Sequence, residues 1–455
     1  MPQPALEPRR DLGLTHATSL VVGVIIGTGV FLKAASMAQA VGTPGLVLGA
    51  WVAAGLVALL GALCFAELGA LLPHAGGEYV YLRTAYGELP GFLFACNAFV
   101  LGGAAVAAYG AAVAIFLSDI HRFDAHGYQL TWHFGGTTHV LEFGLRQLIA
   151  VAAIAVFTVI KVASILAVAA GVFAFGDVHD FGNLRADPGA AGGGFAGFGG
   201  AMFAALWAYS GWQFFAMAAG EVHNPQRNVP RAFVGGTLLV LVLYLAINTA
   251  YLYALPFWQV ASANSTAYPD APSVAARAVQ TFLGGRAAPI AALIFLISTI
   301  GSLNGMILGA ARVPYAAARD GLFFSAFGRL HPVSRVPITS LVLLGLWGAL
   351  LAASGTFDQL TNMAVMSYAL FWIPVSLAVL VLRRKLPDAP RPFRVPGYPL
   401  VPVVFALVMI WIVISGFLTA PRESITALVL ILLGLPLYPL FRRRGRFTAT
   451  RAPTA

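Results

Sequence analysis

The chain has 455 residues, of which 59% are hydrophobic and only 10% charged. Several apolar runs exceed about 18 residues, the length of a membrane crossing, so the composition predicts an all-α polytopic membrane protein and excludes a string of soluble domains. The net charge of +10 would suggest nucleic acid in a soluble protein. Here the basic residues fall at the ends of apolar runs and in short loops, so the partner implied is the lipid bilayer, with no nucleic acid.

Met1 to Asp11 is short and polar, and the run behind it is long enough to remain as a span, so no cleaved signal peptide is predicted. The first span covers Ala17 to Val41, with Lys33 near its outer end, where it can snorkel. At its centre stands Gly23-Val24-Ile25-Ile26-Gly27-Thr28-Gly29. Glycines cost about 1 kcal/mol each in a helix interior. Inside a bilayer, broken backbone survives where it is buried or lines a polar cavity. Gly27-Thr28-Gly29 therefore reads as binding-site backbone; a close-packing helix face is the other reading.

A second span, Leu46 to Leu72, carries Glu67, read as structural and near Arg83. A polar loop from Pro73 to Tyr79 leads to a third span, Gly91 to Leu117. The segment Ser118 to Arg146 reads as a solvated outer loop, and the spacing of its histidines (His121, His126, His133 and His139) matches no metal site. Leu148 to Gly176 is one apolar run broken only by Lys161. At 1.5 Å per residue it reaches roughly 44 Å, ample for one crossing and too short for two. Residues 178–200 read as a Gly-rich linker. The next span, Ala201 to Ala219, contains Trp207-Ala208-Tyr209-Ser210-Gly211-Trp212, a second interrupted helix. Further spans follow at Ala232–Leu255, Ala288–Ala317 (with Ser298 and Ser302), Ile338–Ala353, Leu360–Leu382, Val401–Ala420 and Ile425–Leu440. Cys64 and Cys96 lie in apolar runs and read as packed thiols.

Two Gly-interrupted spans, one opening each half, point to an inverted-repeat transporter whose breaks face each other. Half-helix N-termini there can bind a carboxylate, and freed carbonyls an ammonium. No nucleophile–base pairing suggests an enzyme, and no cofactor or metal is expected.

The chain resembles amino-acid permeases of the amino acid–polyamine–organocation superfamily, most of all their L-type branch. The likeness is carried by Gly23 to Phe31, by Phe65 to Gly69 with Gly76 to Leu82, by Trp207 to Trp212 with Glu221 to Pro225, and by Gly301 to Gly305 with Ala318 to Gly321. It implies a LeuT-like fold of about twelve helices, with helices 1 and 6 discontinuous. It implies that the amides of Thr28 and Gly29, next to Gly27, hold the substrate carboxylate, and that carbonyls near Ile25, Ile26 and Ala208 hold the ammonium. Trp207 would be the gate over the substrate, and Ser210 would flank the side-chain pocket. Lys161 would supply an amine in place of a sodium ion, in a coupling site completed by Ser298 and Ser302; a purely structural amine tying helices 1 and 5 to 8 is the other reading. The implied activity is sodium-independent transport of neutral amino acids by exchange or proton-linked uptake.

The resemblance divides the chain into a cytoplasmic tail (1–16), a first repeat (17–177), the linker (178–200), a second repeat (201–383), helices 11 and 12 (384–441) and a basic cytoplasmic tail (442–455). The basic loops give a parity conflict, because an even number of crossings is required between the second and sixth spans and only three are countable. Helices 4 and 5 therefore read as fused near residues 155–156, giving about eleven helices in all. A shortened region of this kind leaves open an amino-acid-binding membrane protein that does not transport. The outer loop lacks the Cys with which animal exchangers of this type bridge a heavy subunit. No disulfide-linked partner is therefore expected, and the likeness places the chain in a bacterial inner membrane.

Overall fold

A computed structural model describes residues 12–120, 128–134, 137–143, 181–184, 193–284, 287–331 and 336–445. Lys161 and the run from Leu148 to Gly176 lie outside these residues, so the fused-helix reading and its parity conflict are not addressed by the structure.

The described residues are mainly helical. Seven helices are long and apolar enough to cross a membrane, with shorter apolar helices at Gly194–Tyr209 and Ile338–Ala352. Many large apolar side chains on these helices face outward, among them Leu56, Val242, Leu346, Leu407 and Leu418. In water such a surface would be a liability; in a bilayer it is the lipid contact. The chain is a multi-pass membrane protein.

The first span is two helices, α1 (Leu14–Ile25) and α2 (Gly29–Val41), which ends on left-handed Gly42. Thr43 then caps α3 (Pro44–Leu71), with Pro44 in the first turn where its missing N–H costs nothing. The polar loop returns through α4 (Glu78–Tyr86) to α5 (Glu88–Ile120). The segment read as a solvated outer loop contains an antiparallel hairpin, β1 (Tyr128–Phe134) with β2 (Thr137–Phe143), in register with Trp132 opposite His139 along the backbone.

The second interrupted span is α6 (Gly194–Tyr209) and α7 (Trp212–Met217). Residues 194–200, read as linker, belong to α6 instead. A Cβ at Gly197 would lie 2.3 Å from the Ala40 carbonyl oxygen, and one at Gly199 would lie 2.5 Å from Ser415 Oγ. These glycines thus let α6 press on its neighbours, the use small residues have between membrane helices.

Next come α8 (Pro225–Ala254), α9 (Phe257–Ala261), α10 (Val274–Leu283), α11 (Ala287–Ala310) and α12 (Arg312–Arg319). The eighth span is therefore interrupted after Ala310 and does not run unbroken to Ala317. The chain ends with α13 (Ile338–Ala352), α14 (Phe357–Lys385), α15 (Leu400–Thr419), α16 (Pro421–Leu432) and α17 (Gly434–Gly445). A capping box between Thr356 and Gln359 starts α14.

Two charged residues end up elsewhere than expected. Lys33 does not snorkel: its side chain is 2% exposed, and Nζ donates to Asp358 Oδ1 (2.6 Å) and Thr361 Oγ1 (2.7 Å) on α14. Glu67 pairs with Arg383, which donates through Nε (2.8 Å) and Nη2 (2.6 Å), while Val395 N–H donates to the same carboxylate. Arg83, its expected neighbour, reaches Asp320 instead at 2.7 Å.

Candidate functional site

The two breaks meet. A Cβ on Gly29 would stand 2.4 Å from Ala208 Cα, and one on Gly211 would stand 2.8 Å from the Ile25 nitrogen. Gly211 also holds φ at +135°, a region that favours glycine. Gly27 is equally confined, since a Cβ there would meet the Tyr109 hydroxyl at 2.4 Å. The glycines of the first break serve both readings of the sequence at once. They interrupt the helix, and they allow the second interrupted helix to touch it.

The interruption frees carbonyl oxygens, and side-chain hydroxyls serve them. Tyr244, on α8, donates toward Ile25 O (2.8 Å) and Ala208 O (3.0 Å). Ser302, on α11, lies 2.7 Å from both Gly23 O and Ile26 O, and Ser298 donates to Ile26 O at 3.2 Å. A hydroxyl carries one hydrogen. The four carbonyls of Gly23, Ile25, Ile26 and Ala208 are thus shared among three hydroxyl hydrogens. The break holds a surplus of acceptors.

On the other side of the break there is a surplus of donors. Among the described residues, no backbone carbonyl accepts from the N–H groups of Thr28 or Gly29, which open α2. These are the unserved amides that every helix N-terminus presents, here with the positive end of the helix dipole behind them. One short stretch of chain therefore offers donors suited to a carboxylate beside acceptors suited to an ammonium.

Trp207 covers this stretch. Its Nε1 donates to Thr28 Oγ1 at 3.2 Å, and its ring packs against Tyr109 (centroids 5.7 Å apart) and Phe357 (6.3 Å). Ser210 donates to the Trp207 carbonyl at 2.7 Å, closing the last turn of α6. Thr28 and Ala208 are fully or almost fully buried, so the breaks are enclosed by protein in this conformation.

The structure brings together Ile25, Ile26, Gly27, Thr28, Gly29, Trp207, Ala208, Ser298 and Ser302, while Ser210 turns back into its own helix; Lys161 lies outside the described residues. Tyr244 and Tyr109 were missed. Tyrosines in apolar runs carry no signal beyond packing, and only the position of the freed carbonyls identifies Tyr244 as their donor. Gln213 was missed as well: its Oε1 accepts from Gly211 N–H at 2.7 Å and so supports the second break. Among the described residues no group of three or more His, Cys, Asp and Glu forms a metal cluster.

Broken membrane helices facing each other around unserved backbone are the arrangement many carriers place at their substrate sites. Comparison with known proteins gives the family: the chain matches the amino acid permease family over residues 12–435 and belongs to it. It is 29% identical to a serine/threonine exchanger of Bacillus subtilis, over 96% of this chain and 98% of that protein. It is 28% identical to a branched-chain amino acid permease of the same organism, over 96% and 94% of the two chains. It is 26% identical to the human b(0,+)-type amino acid transporter 1, over 95% and 88%. These relatives are transporters and permeases, so the function is amino acid transport and the protein is not an enzyme.

Proposed function

We propose that the chain moves neutral amino acids across a bacterial inner membrane by alternating access, independently of sodium, through exchange or proton-linked uptake. The observation that supports this most is the pairing of unserved amides at Thr28 and Gly29 with under-served carbonyls at Ile25, Ile26 and Ala208. An α-amino acid carries matching groups on one carbon. Among the described residues the polar side chains around the breaks are Ser, Thr, Tyr, Trp and Gln, with no carboxylate or amine to select a charged substrate.

In this reading the fold is the inverted-repeat arrangement, with the breaks at the repeat interface. Trp207 gates the site, and Ser210 flanks the substrate side chain once α6 unwinds beyond its hydrogen bond. Sodium independence is supported by the hydroxyls of Ser298 and Ser302, which donate to the carbonyls a sodium ion would need as ligands. Lys161 is proposed to add an amine to this coupling site. The basic ends of the spans orient both termini toward the cytoplasm. The two free cysteines of the described residues, Cys64 and Cys96, lie within spans, so no disulfide-linked subunit is proposed.

The test is counterflow in proteoliposomes preloaded with neutral amino acids and given labelled leucine, alanine or serine. Saturable accumulation is expected. Gly29→Leu should abolish it, because any side chain there collides with Ala208. Undiminished counterflow in that variant would refute the assignment of the break as the carboxylate site.

A further inference from the structure

A narrow void lies next to the second break, on the side that carries Arg83, Arg312 and Arg383. It is lined by Glu78, Asn97, Gln213 and Tyr368 together with apolar neighbours, and it has about 10 Å³ of space for a water centre. That is close to the minimum that holds one water molecule. Three buried polar atoms of this lining have no hydrogen bond of normal geometry among the described residues: Glu78 Oε2, and Gln213 Nε2 with the Tyr368 hydroxyl, which lie beside each other. The other Glu78 oxygen accepts from Trp372 Nε1 at 3.2 Å.

Three poorly paired polar atoms around one void are costly unless the void takes a ligand or one of them changes its charge. We propose that this is a proton-binding site, in which Glu78 takes up and releases a proton and Gln213 relays its charge state to the second helix break.

The relay is short. The Gln213 amide has its oxygen on Gly211 N–H (2.7 Å), while its nitrogen at the void has only the Tyr368 hydroxyl beside it. Gly211 in turn abuts the Ile25 backbone of the first break. Protonated, Glu78 is neutral and stays buried with a single bond from Trp372. When its proton passes to water, the carboxylate left behind needs donors. The donors at the void are Gln213 Nε2 and the Tyr368 hydroxyl, which otherwise have only each other, and any water admitted. Turning the amide toward the carboxylate takes its oxygen from Gly211, so deprotonation loosens the second break and opens the void toward the basic side. No bond other than O–H forms or breaks.

Among the described residues no charged partner competes for the carboxyl. On α4, Tyr79 donates to Asp320, Arg83 pairs with Asp320, and Tyr81 is buried beside the carboxyl. The loop before α4 carries His74, which is exposed. From α5 come Asn97, which accepts from Ser367, and Glu88, which accepts from Tyr438. From α12 come Arg312, paired with Glu221, together with Tyr315 and Arg319. From α14 come Tyr368, Trp372 and Lys385, whose Nζ donates to Ala85 O, while Arg383 pairs with Glu67; α7 carries no titratable group and lines the void with Gln213, Phe214 and Met217. Burial pushes the Glu78 carboxyl up to about 8, with the bond from Trp372 acting in the opposite sense.

Coupling of this proton to transport rests on the carrier reading above, and two measurements keep them apart. The first is infrared difference spectroscopy on the purified protein, following the protonated-carboxyl band as pH is raised. A band titrating near 8 in the wild type and missing from Glu78→Gln is expected. Its absence from the wild type, or its survival in the variant, overturns the site whatever the transport result. The second is uptake of a labelled leucine, alanine and serine mixture into proteoliposomes, with pH set independently on the two sides. Raising the pH from about 7 to about 9 on the basic side takes one such group from roughly nine-tenths to one-tenth protonated, so uptake should change up to about tenfold. In Glu78→Gln the profile should be flat at whatever level remains, and in Gln213→Leu the midpoint should rise. An unchanged profile in Glu78→Gln overturns the coupling, and an unmoved midpoint in Gln213→Leu overturns the relay. The expected infrared titration with no uptake by any protein supports the proton site and counts against the carrier reading instead.

Discussion

Lys33 and Asp358 form an ion pair whose worth follows from its surroundings. The lysine side chain is 2% exposed and the aspartate 18%. Removing one member of a buried pair costs about 3–5 kcal/mol, because the other charge is left without compensation. The two removals are not equivalent here. Lys33→Met leaves Asp358 partly exposed and still accepting from Thr266 N–H (3.0 Å) and Oγ1 (2.8 Å), so the loss should fall to about 2–3 kcal/mol. Asp358→Ala leaves a more deeply buried ammonium with Thr361 Oγ1 and the face of Phe357, whose centroid is 4.9 Å away, so the loss should reach about 3–5 kcal/mol. The double variant should cost less than the sum by at least about 1.5 kcal/mol. Equilibrium unfolding in mixed micelles of rising dodecyl sulfate content, followed by tryptophan fluorescence, measures all three. High salt should not remove the effect, since screening acts weakly on buried pairs. Additive single losses, single losses below about 0.5 kcal/mol, or the reverse order of the two variants would refute the reasoning.

Two further outcomes are expected. Ser302→Ala takes the hydroxyl from Gly23 O while Ile26 O keeps Ser298, so about 1–3 kcal/mol of stability should be lost. Ser298→Ala should cost less, and thermal unfolding that ranks the two serines the other way would contradict this. Glu78 also gives stability a pH dependence. Its pKa is raised in the fold from 4.5 to about 8, so the native state binds more protons than the unfolded chain between those values. That contribution to stability is present in full below about 4.5 and is lost as pH rises toward 8. The wild-type minus Glu78→Gln difference in unfolding midpoint should therefore fall across this window, and a difference independent of pH would exclude a shifted carboxyl.

The spans among the described residues were legible because a bilayer leaves no choice. Backbone polar groups must be served within the helix, so apolar runs become helices. Pro44–Leu71, for example, starts two residues before the expected Leu46. The first break was legible because three glycines within seven residues disfavour a continuous helix, although the same glycines also serve close packing. What sequence could not give is the destination of long-range polar groups. Lys33 finds its partner 325 residues away, and nothing local distinguishes that from snorkelling. The same holds for Glu67, which chose Arg383 over Arg83. The glycines of residues 194–200 were misread because glycine disfavours helix in water. Their role here, close approach to Ala40 and Ser415, exists only once the neighbours are in place.

The shortage of hydrogens at the breaks makes one residue decisive for separating a binding site from a merely packed kink. Tyr244 is equidistant, within 0.2 Å, from the carbonyls of Ile25 (2.8 Å) and Ala208 (3.0 Å), yet its single hydrogen can serve one of them at a time. An ammonium brings three donors and charge-assisted bonds worth roughly twice the neutral ones. If the breaks are the amino-acid site, Tyr244 and the substrate compete for the same acceptors. Tyr244→Phe should then lower the unfolding midpoint of the ligand-free protein, by the loss of about 1–3 kcal/mol that goes with an unserved buried acceptor. It should also enlarge the midpoint increase produced by a saturating neutral amino acid, because the ammonium now serves carbonyls that nothing else reaches. A packed kink predicts the first effect without the second. A ligand-induced shift in Tyr244→Phe equal to or smaller than that of the wild type would therefore remove the ammonium from these carbonyls, even if the protein transports.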